Sequence, residues 1–507
     1  MSLDPNPVRI EEQSVTSTRS IVEGLTYDDV LLVPGRSDVL PTQVDTRTRI
    51  TPRLALNVPL VSSAMDTVTE ATMAVAMARA GGIGVIHRNL SIDDQVGEID
   101  KVKRSQSGMI VDPVTLPPTA TLAEANAVMA RYRISGVPIT DEDGRLVGIL
   151  TNRDMRFTHD QAHTVADLMT SKNLVTAPVG TTLRQAQHRL HEHRIEKLPV
   201  VDSQGILRGL ITVKDIAKRQ QFPNAVYDDK GRLVVAAAVG VQEEAFERAR
   251  ELTDAGVDAL VVDSAHGHHS AVLDMVSRVK DNLDIEVIAG NVVTAAGASD
   301  LIQAGADAIK VGVGPAAICT TRIVAGVGVP QLTAILDCAD PCAEHGVQLV
   351  ADGGIRYSGD VAKAIAAGAS AVMIGNLLAG TDASPGEIVY RQGERFKEYR
   401  GMGSIGAMVD RRVATRDRYG QHEVEDAAKL VAEGVEAQTP YRGPTAGLID
   451  QLVGGLCSSM GYVGAPDIHA MQTRARFVRV TNAGADESHP HDVVLVKESP
   501  NYQHRPR

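Results

Sequence analysis

Ala255-Gly-Val-Asp-Ala-Leu-Val-Val-Asp263 is answered twice further along the chain, by Ala304-Gly-Ala-Asp-Ala-Ile-Lys-Val-Gly312 and by Ala367-Gly-Ala-Ser-Ala-Val-Met-Ile-Gly375. Each copy reads as a helix C-terminus, an Ala-Gly turn and a short apolar strand ending on a polar residue or a glycine. Two further strands lie between them, Ile285-Glu-Val-Ile-Ala-Gly290-Asn291 and Val347-Gln-Leu-Val-Ala-Asp352. Upstream, Val58-Pro-Leu-Val-Ser-Ser-Ala-Met65 reads as a strand, Glu70 to Ala80 as a helix, Gly81 to Asn89 as a strand, and Leu233 to Val239 as another. Strand and helix alternate, which is the pattern of βα units and a parallel sheet. About eight units can be counted. The fold class expected is α/β, a (β/α)₈ TIM barrel, with its active site at the C-terminal ends of the strands. The polar or special residues at those ends are Ser63, Asp263, Asn291, Cys319, Asp352 and Gly375.

The 507 residues suggest two to three domains. A net charge of −12 argues against nucleic-acid binding, which needs a basic footprint. The four cysteines form no Cys-x-x-Cys pair and have no histidine cluster beside them, so zinc is not expected. Cys338 and Cys342 are spaced to share a helix face as packing. So few cysteines in so long a chain fit a reducing compartment. The first residues lack the basic and apolar regions of a signal peptide, and no apolar run is long enough to span a membrane. A cytoplasmic location is expected.

The barrel pattern is interrupted. Ile134-Ser-Gly-Val-Pro138 to Asp154 and Ile195-Glu-Lys-Leu-Pro199 to Asp215 repeat one another, with Pro138/Pro199, Gly148/Gly209, Thr151/Thr212 and Asp154/Asp215 matched at one constant offset. Each copy reads helix, strand, turn, strand, helix. The repeat resembles a tandem pair of CBS modules. That resemblance implies purine nucleotides as ligands, contacted by Thr151, Asp154, Thr212 and Asp215; a structural repeat without a ligand is the alternative. The expected organisation is a disordered 1–20, a first barrel part over 21–111, the inserted modules over 112–219, and the rest of the barrel over 220–507, with a flap near 403–433.

Val311-Gly-Val-Gly-Pro-Ala-Ala-Ile-Cys319-Thr-Thr-Arg322 leaves a buried strand as a glycine-containing loop. Cys319 beside two threonines can be a nucleophile or a small buried apolar residue. Asp352-Gly-Gly354 and Gly375-Asn376 are expected at the two penultimate strand ends. There glycine amides and helix N-termini can hold a phosphate without a basic side chain. Asp352 can accept from a ribose diol or cap a helix.

The cysteine loop, Val327-Gly-Val-Pro-Gln331, Tyr399-Arg-Gly-Met402-Gly-Ser404 and Glu487-Ser-His-Pro-His491-Asp492, together with the barrel and its insertion, resemble the inosine-5′-monophosphate dehydrogenases. The resemblance spans nearly all of the chain beyond the first 20 residues. It implies oxidation of inosine 5′-monophosphate (IMP) to xanthosine 5′-monophosphate with NAD. Cys319 would attack C2 of the base, hydride would pass to NAD⁺, and water would hydrolyse the resulting thioimidate. Arg418 and Tyr419 on a mobile flap would activate that water, with Thr321 and Glu433 as a second proton path. Ser63, Asp352, Gly354, Gly375, Asn376 and Tyr399 would hold the ribose phosphate; Gly401, Met402, Gly403 and Glu433 would meet the base. Asp263, Ser264, Asn291, Gly312 and Gly314 would serve the dinucleotide, and Tyr462 a neighbouring subunit's adenosine. A K⁺ ion would take carbonyls of Gly314, Ala316 and Cys319, with Glu487, Ser488 and His489 from the next subunit. The implied assembly is a homotetramer, or an octamer through the CBS modules.

The chain departs from that family at Ala316-Ala317, where Gly-Ser is usual, and at Asn376, where a serine is usual. A lost charge-assisted hydrogen bond costs about 1.5–3 kcal/mol. Weaker phosphate binding and a stiffer K⁺ loop are therefore expected, with Asn376 supplying part of the loss. Guanosine monophosphate reductases share the barrel, the cysteine and the Thr-Glu pair; they lack the Arg-Tyr flap and usually the insertion, and both features argue for the dehydrogenase. A nucleotide-sensing scaffold without turnover is the reading from another class.

Overall fold

The computed structural model describes residues 21–105, 110–111, 113–132, 134–156, 158, 163–409, 418–421, 424, 426–497 and 499–502. The expected disordered N-terminus and, within the flap, residues 410–417, 422, 423 and 425 lie outside the described residues. Two compact units emerge, one of 1–103, 224–226 and 233–507, the other of 104–223 and 227–232.

The larger unit is a closed barrel of eight parallel strands in chain order: Leu60–Ser62, Ile83–Ile86, Ala236–Val239, Ala259–Asp263, Glu286–Val292, Ala308–Val311, Gln348–Asp352 and Ala371–Ile374. Every residue of the first six is buried, as parallel strands under covering helices must be. The three echoing segments have one physical cause. Helices Glu243–Asp254, Ala295–Gln303 and Ser358–Ala366 each end on an alanine, followed by Gly256, Gly305 or Gly368 at φ +85°, +99° and +116°. A glycine in that left-handed conformation ends the helix without a Cβ clash and turns the chain into the next strand. The fourth position of the echo then anchors the strand from below. Asp258 accepts the Val235 amide at 2.6 Å and pairs with buried Lys103 at 2.6 Å. Asp307 accepts the Val287 amide and pairs with Lys280, both at 2.7 Å. Cys338 and Cys342 are buried on helix Gln331–His345, and burial pushes the Cys342 thiol up to about 12.

A three-stranded antiparallel sheet, Ile388–Arg391, Glu394–Arg400 and Glu436–Pro440, carries the segments on either side of the flap. It is tied to the loop after the first strand by Arg400, whose Nη2 and Nε lie 2.5 and 3.0 Å from Asp66 Oδ2.

In the smaller unit, hairpins Gly136–Thr140/Leu146–Thr151 and Lys197–Val201/Leu207–Thr212 have separate apolar cores. Their tips exchange matched hydrogen bonds, Leu146 N–H to Gly205 O and Leu207 N–H to Gly144 O, each at 3.0 Å. The repeat is thus a pseudo-twofold pair. This unit begins at Arg104, ahead of 112, because strand Ile110–Val111 pairs with the second copy's Leu210 and Gly209.

Candidate active site

The sixth strand releases the chain into the cysteine loop, and Arg322 locks that loop. Its Nε donates to Val313 O at 3.1 Å and its Nη2 to Val329 O at 2.5 Å. The side chain passes so close to Gly314 and Gly328 that a Cβ at either would sit 2.5 or 2.7 Å from Arg322 Cγ. The glycines are there for the arginine. The exit strand of the flap closes the loop from the other side: Thr320 N–H donates to Glu433 O and Glu433 N–H to Gly403 O, each at 3.0 Å, and Cys319 bridges Gly434. Cys319 is therefore held rather than packed away. It is half-buried, and its Sγ is hydrogen bonded to Thr321 Oγ1 at 3.1 Å.

Around it lies a cavity of about 360 Å³, within the range of small-molecule sites. It is lined by Ser63, Asp263, Asn291, Gly312, Gly314, Ala316, Cys319, Thr321, Asp352, Gly354, Gly375, Asn376, Tyr399, Gly401, Met402, Arg418, Tyr419 and Glu433. One cavity thus brings together most of the residues singled out from the sequence. Asp352 and Gly375 close the seventh and eighth strands, the last two rather than the penultimate pair, because two strands before the insertion complete the circle. Gly375 must lack a side chain, since a Cβ would meet the buried Tyr399 hydroxyl at 2.8 Å. Asn376 Oδ1 accepts from Thr439 Oγ1 at 2.7 Å, which turns its amide N–H₂ away from that contact. Ala316 is absent from the positive-φ positions, so the conformation of the loop demands no glycine there. The Ala316 carbonyl accepts from the Cys319 amide at 3.1 Å.

The flap residues are seated. Arg418 contacts the Asp263 carboxylate through Nη1, and its carbonyl accepts the Ala265 amide at 3.1 Å. Burial is the largest influence on its guanidinium and pulls it below the usual arginine range; Tyr419 opposes, Arg88 adds to the lowering, and the touching Asp263 favours the charged form. Burial likewise pushes the Tyr419 phenol up. The Tyr419 ring lies over Gly403, where a Cβ would meet its Cζ at 2.6 Å, so Gly403 is a seat for the flap.

Other expected residues lie elsewhere. Ser264 does not line the cavity; its main chain exchanges hydrogen bonds with Gly290 and Asn291. Tyr462 is 71% exposed. Ser488 and His489 follow helix Asn482–Glu487, and His489 Nδ1 bonds Tyr502 Oη at 3.0 Å. In the smaller unit, Thr151 with Asp154 and Thr212 with Asp215 form capping boxes. The Thr151 amide and hydroxyl both lie 2.7 Å from Asp154 Oδ2, and the Thr212 amide 3.1 Å from Asp215 Oδ2. The helix-capping role of these pairs is real, whatever else they bind. Burial raises the Asp215 carboxyl.

Sequence reasoning passed over Lys310. It is 1% exposed, and its Nζ lies 2.6 Å from Asp352 Oδ2 and 3.0 Å from Asp263 Oδ1, and donates to Asn291 Oδ1. The available signal was a lysine inside an otherwise apolar buried strand. Among the described residues no cluster of three or more His, Cys, Asp and Glu side chains could hold a metal, and no helix is long and apolar enough to cross a membrane.

The family model described as "IMP dehydrogenase / GMP reductase domain" matches residues 24–491. The chain is 57% identical over 487 residues to the inosine-5′-monophosphate dehydrogenase of Aquifex aeolicus, covering 96% of this chain and 98% of that one. It is 54% identical over 483 residues to that of Bacillus subtilis, covering 95% and 98%. Among solved structures it is similar to a GMP reductase of Trypanosoma brucei, a cysteine-to-alanine variant in complex with guanosine 5′-monophosphate, at a TM-score of 0.83 and 42% identity, covering 94% of this chain and 99% of that one. That coverage leaves no room for a missing insertion, so the inserted unit does not by itself separate the two activities as the sequence reading supposed.

Proposed function

We propose that this chain, which belongs to the IMP dehydrogenase / GMP reductase family, oxidises IMP to xanthosine 5′-monophosphate through a covalent bond to Cys319. The observation that carries the reading is Cys319 on the sixth-strand loop, bonded to Thr321 and facing Asp352 in the cavity that Arg418 and Tyr419 also line.

In this reading the nucleotide ribose binds Asp352. Its phosphate meets Ser63, Tyr399, the Asn376 amide and the glycine main chain of the last two strand ends. Gly401 and Met402 orient the base so that C2 stands over Cys319. The thiolate adds to C2, and the hydrogen on C2 leaves with its electron pair. The residues that would hold NAD⁺, which supplies the hydride acceptor when bound, are Asp263, Asn291 and the main chain of Gly312 and Gly314. In this reading the buried acid at the fourth strand end, Asp263, accepts from a ribose diol at the oxygen that Arg418 contacts. Water then replaces sulfur at C2. Arg418 takes a proton from it, with Tyr419 alongside and Thr321 with Glu433 as the second path. A base of such high ordinary pKa needs the burial that lowers it.

The carbonyls of Gly314, Ala316 and Cys319, on a loop that turns where the Cys319 amide meets Ala316 O, would supply half of a site for a hard monovalent cation; K⁺ would steady the cysteine loop. The other half, Glu487, Ser488 and His489, would come from a neighbouring copy in a homotetramer, and exposed Tyr462 would face a neighbour's adenosine. The inserted unit would bind purine nucleotides beside its two Thr-Asp caps and join tetramers into octamers. Four free cysteines fit a reducing, cytoplasmic setting.

A GMP reductase activity is the second reading, favoured by the Trypanosoma brucei likeness. Purified chain given IMP and NAD⁺ is expected to form NADH and xanthosine 5′-monophosphate. Oxidation of NADPH with guanosine 5′-monophosphate, and no NADH from IMP, would replace the first reading by the second. Turnover of neither leaves the sensing scaffold.

A further inference from the structure

Lys310 has the chemistry of a hub. Its ammonium has three N–H donors; it donates to Asp352 Oδ2 at 2.6 Å and to Asn291 Oδ1, and forms an ion pair without a hydrogen bond with Asp263 Oδ1 at 3.0 Å. Asn291 doubles the link, donating through Nδ2 to Asp352 Oδ2 at 3.0 Å and to Gly312 O at 2.6 Å. The two carboxylates stand on the fourth and seventh strands, nearly opposite in the barrel, yet within reach of one ammonium. Their side chains are 4% and 18% exposed and that of Lys310 2%, so water does little to separate them. Like charges so placed repel strongly, and a cation between them offsets that repulsion. Among the described residues, the other cations near Asp263 are Arg418, on its second oxygen, and Arg88, whose Nη2 is 3.4 Å from its carbonyl. Arg418 belongs to the flap segment, whereas Lys310 is built into the sixth barrel strand and meets both acids.

Resting on the reading that Asp352 and Asp263 take the two riboses, we infer that Lys310 is a positioning residue. It holds both carboxylates in register, so that affinity at the nucleotide end and at the dinucleotide end depends on one ammonium. The lower rim differs: Lys103 pairs with Asp258 and Lys280 with Asp307, and each of these aspartates also takes a main-chain amide. Those lysines finish a structural cap, whereas Lys310 joins two acids that face the cavity.

The test is a charge-compensation cycle read by calorimetric titration of the whole protein with IMP and, separately, with NAD⁺. Lys310→Arg is expected to keep both affinities within about threefold. Lys310→Met is expected to weaken both by about tenfold or more, the worth of a lost charge-assisted contact. Adding Asp352→Asn to Lys310→Met restores charge balance and is expected to bring NAD⁺ affinity and Tm back toward the parent, while IMP binding stays weak because its ribose acceptor is altered. If Lys310→Met lowers Tm but leaves both affinities within twofold, or if the two substitutions simply add, Lys310 is only structural. Should Lys310→Met fail to fold, the charge-balanced double variant still gives the decisive NAD⁺ titration. Because the readout is binding, failure of the dehydrogenase reading in the turnover assay is a separate result.

Discussion

The barrel has two rims, and each uses buried aspartates. At the lower rim, Asp258 and Asp307 each accept one strand amide and pair with one lysine. At the upper rim, Asp263 and Asp352 share Lys310, and Asp263 also meets an arginine from the flap. Below, the acids hold strand amides at the foot of the barrel. Above, both acids line the cavity. This is why the same residue type reads as stability at one end of the strands and as chemistry at the other.

Four variants separate the rims. The largest effect is expected from Cys319→Ala, which removes the nucleophile and should lower turnover by at least about 10³-fold with Tm unchanged. A variant that keeps its rate would remove the covalent mechanism altogether. Arg418→Gln comes next, with steady-state turnover falling by about 10²–10⁴-fold, the worth of a general base. Rapid mixing should still show a first burst of NADH, because only the hydrolytic half needs the base. Its pH dependence has a definite sign. Burial lowers the Arg418 value, so the neutral form grows as pH rises; kcat should climb on the alkaline side in the parent and flatten in Arg418→Gln.

At the lower rim the pattern reverses. Asp307→Ala strips the Val287 amide and Lys280 of their acceptor and is expected to cost about 1–3 kcal/mol of stability, seen as a lower Tm, with KM for IMP within twofold. A large KM change there would erase the distinction between the rims. The mildest case is the phosphate end. Ala317→Ser combined with Asn376→Ser should lower KM for IMP by up to about tenfold. No change would mean that the Asn376 amide, held by Thr439, already replaces the lost hydroxyls.

Much of this was legible from residue order. The Ala-Gly echo is a local device, a left-handed glycine closing a helix before a buried strand, and it announces the barrel wherever it recurs. The repeat in the smaller unit is equally local, for its matched residues make turns and caps within a few positions of each other. Cys319, Asp352 and Arg418-Tyr419 were found because strand ends and family motifs are linear features. Lys310 was missed because its meaning depends on Asp352 and Asp263, which lie far from it in the chain; in sequence it is one lysine in an apolar strand. Arg322 was noted only as a flank, since its grip on Gly314 and Gly328 needs the loop to be folded around it.

Sequence alone therefore determined the βα succession, the insertion and the catalytic candidates, because turns, caps and strand burial are decided by near neighbours. The tertiary structure decided which carboxylates share a cation, that Arg418 rests on Asp263, and that Ala316 strains nothing. Those outcomes follow from closing eight strands into a ring, which brings side chains from distant strands within hydrogen-bond reach. Electrostatics at that range, among buried side chains, is a property of the ring and of no single segment.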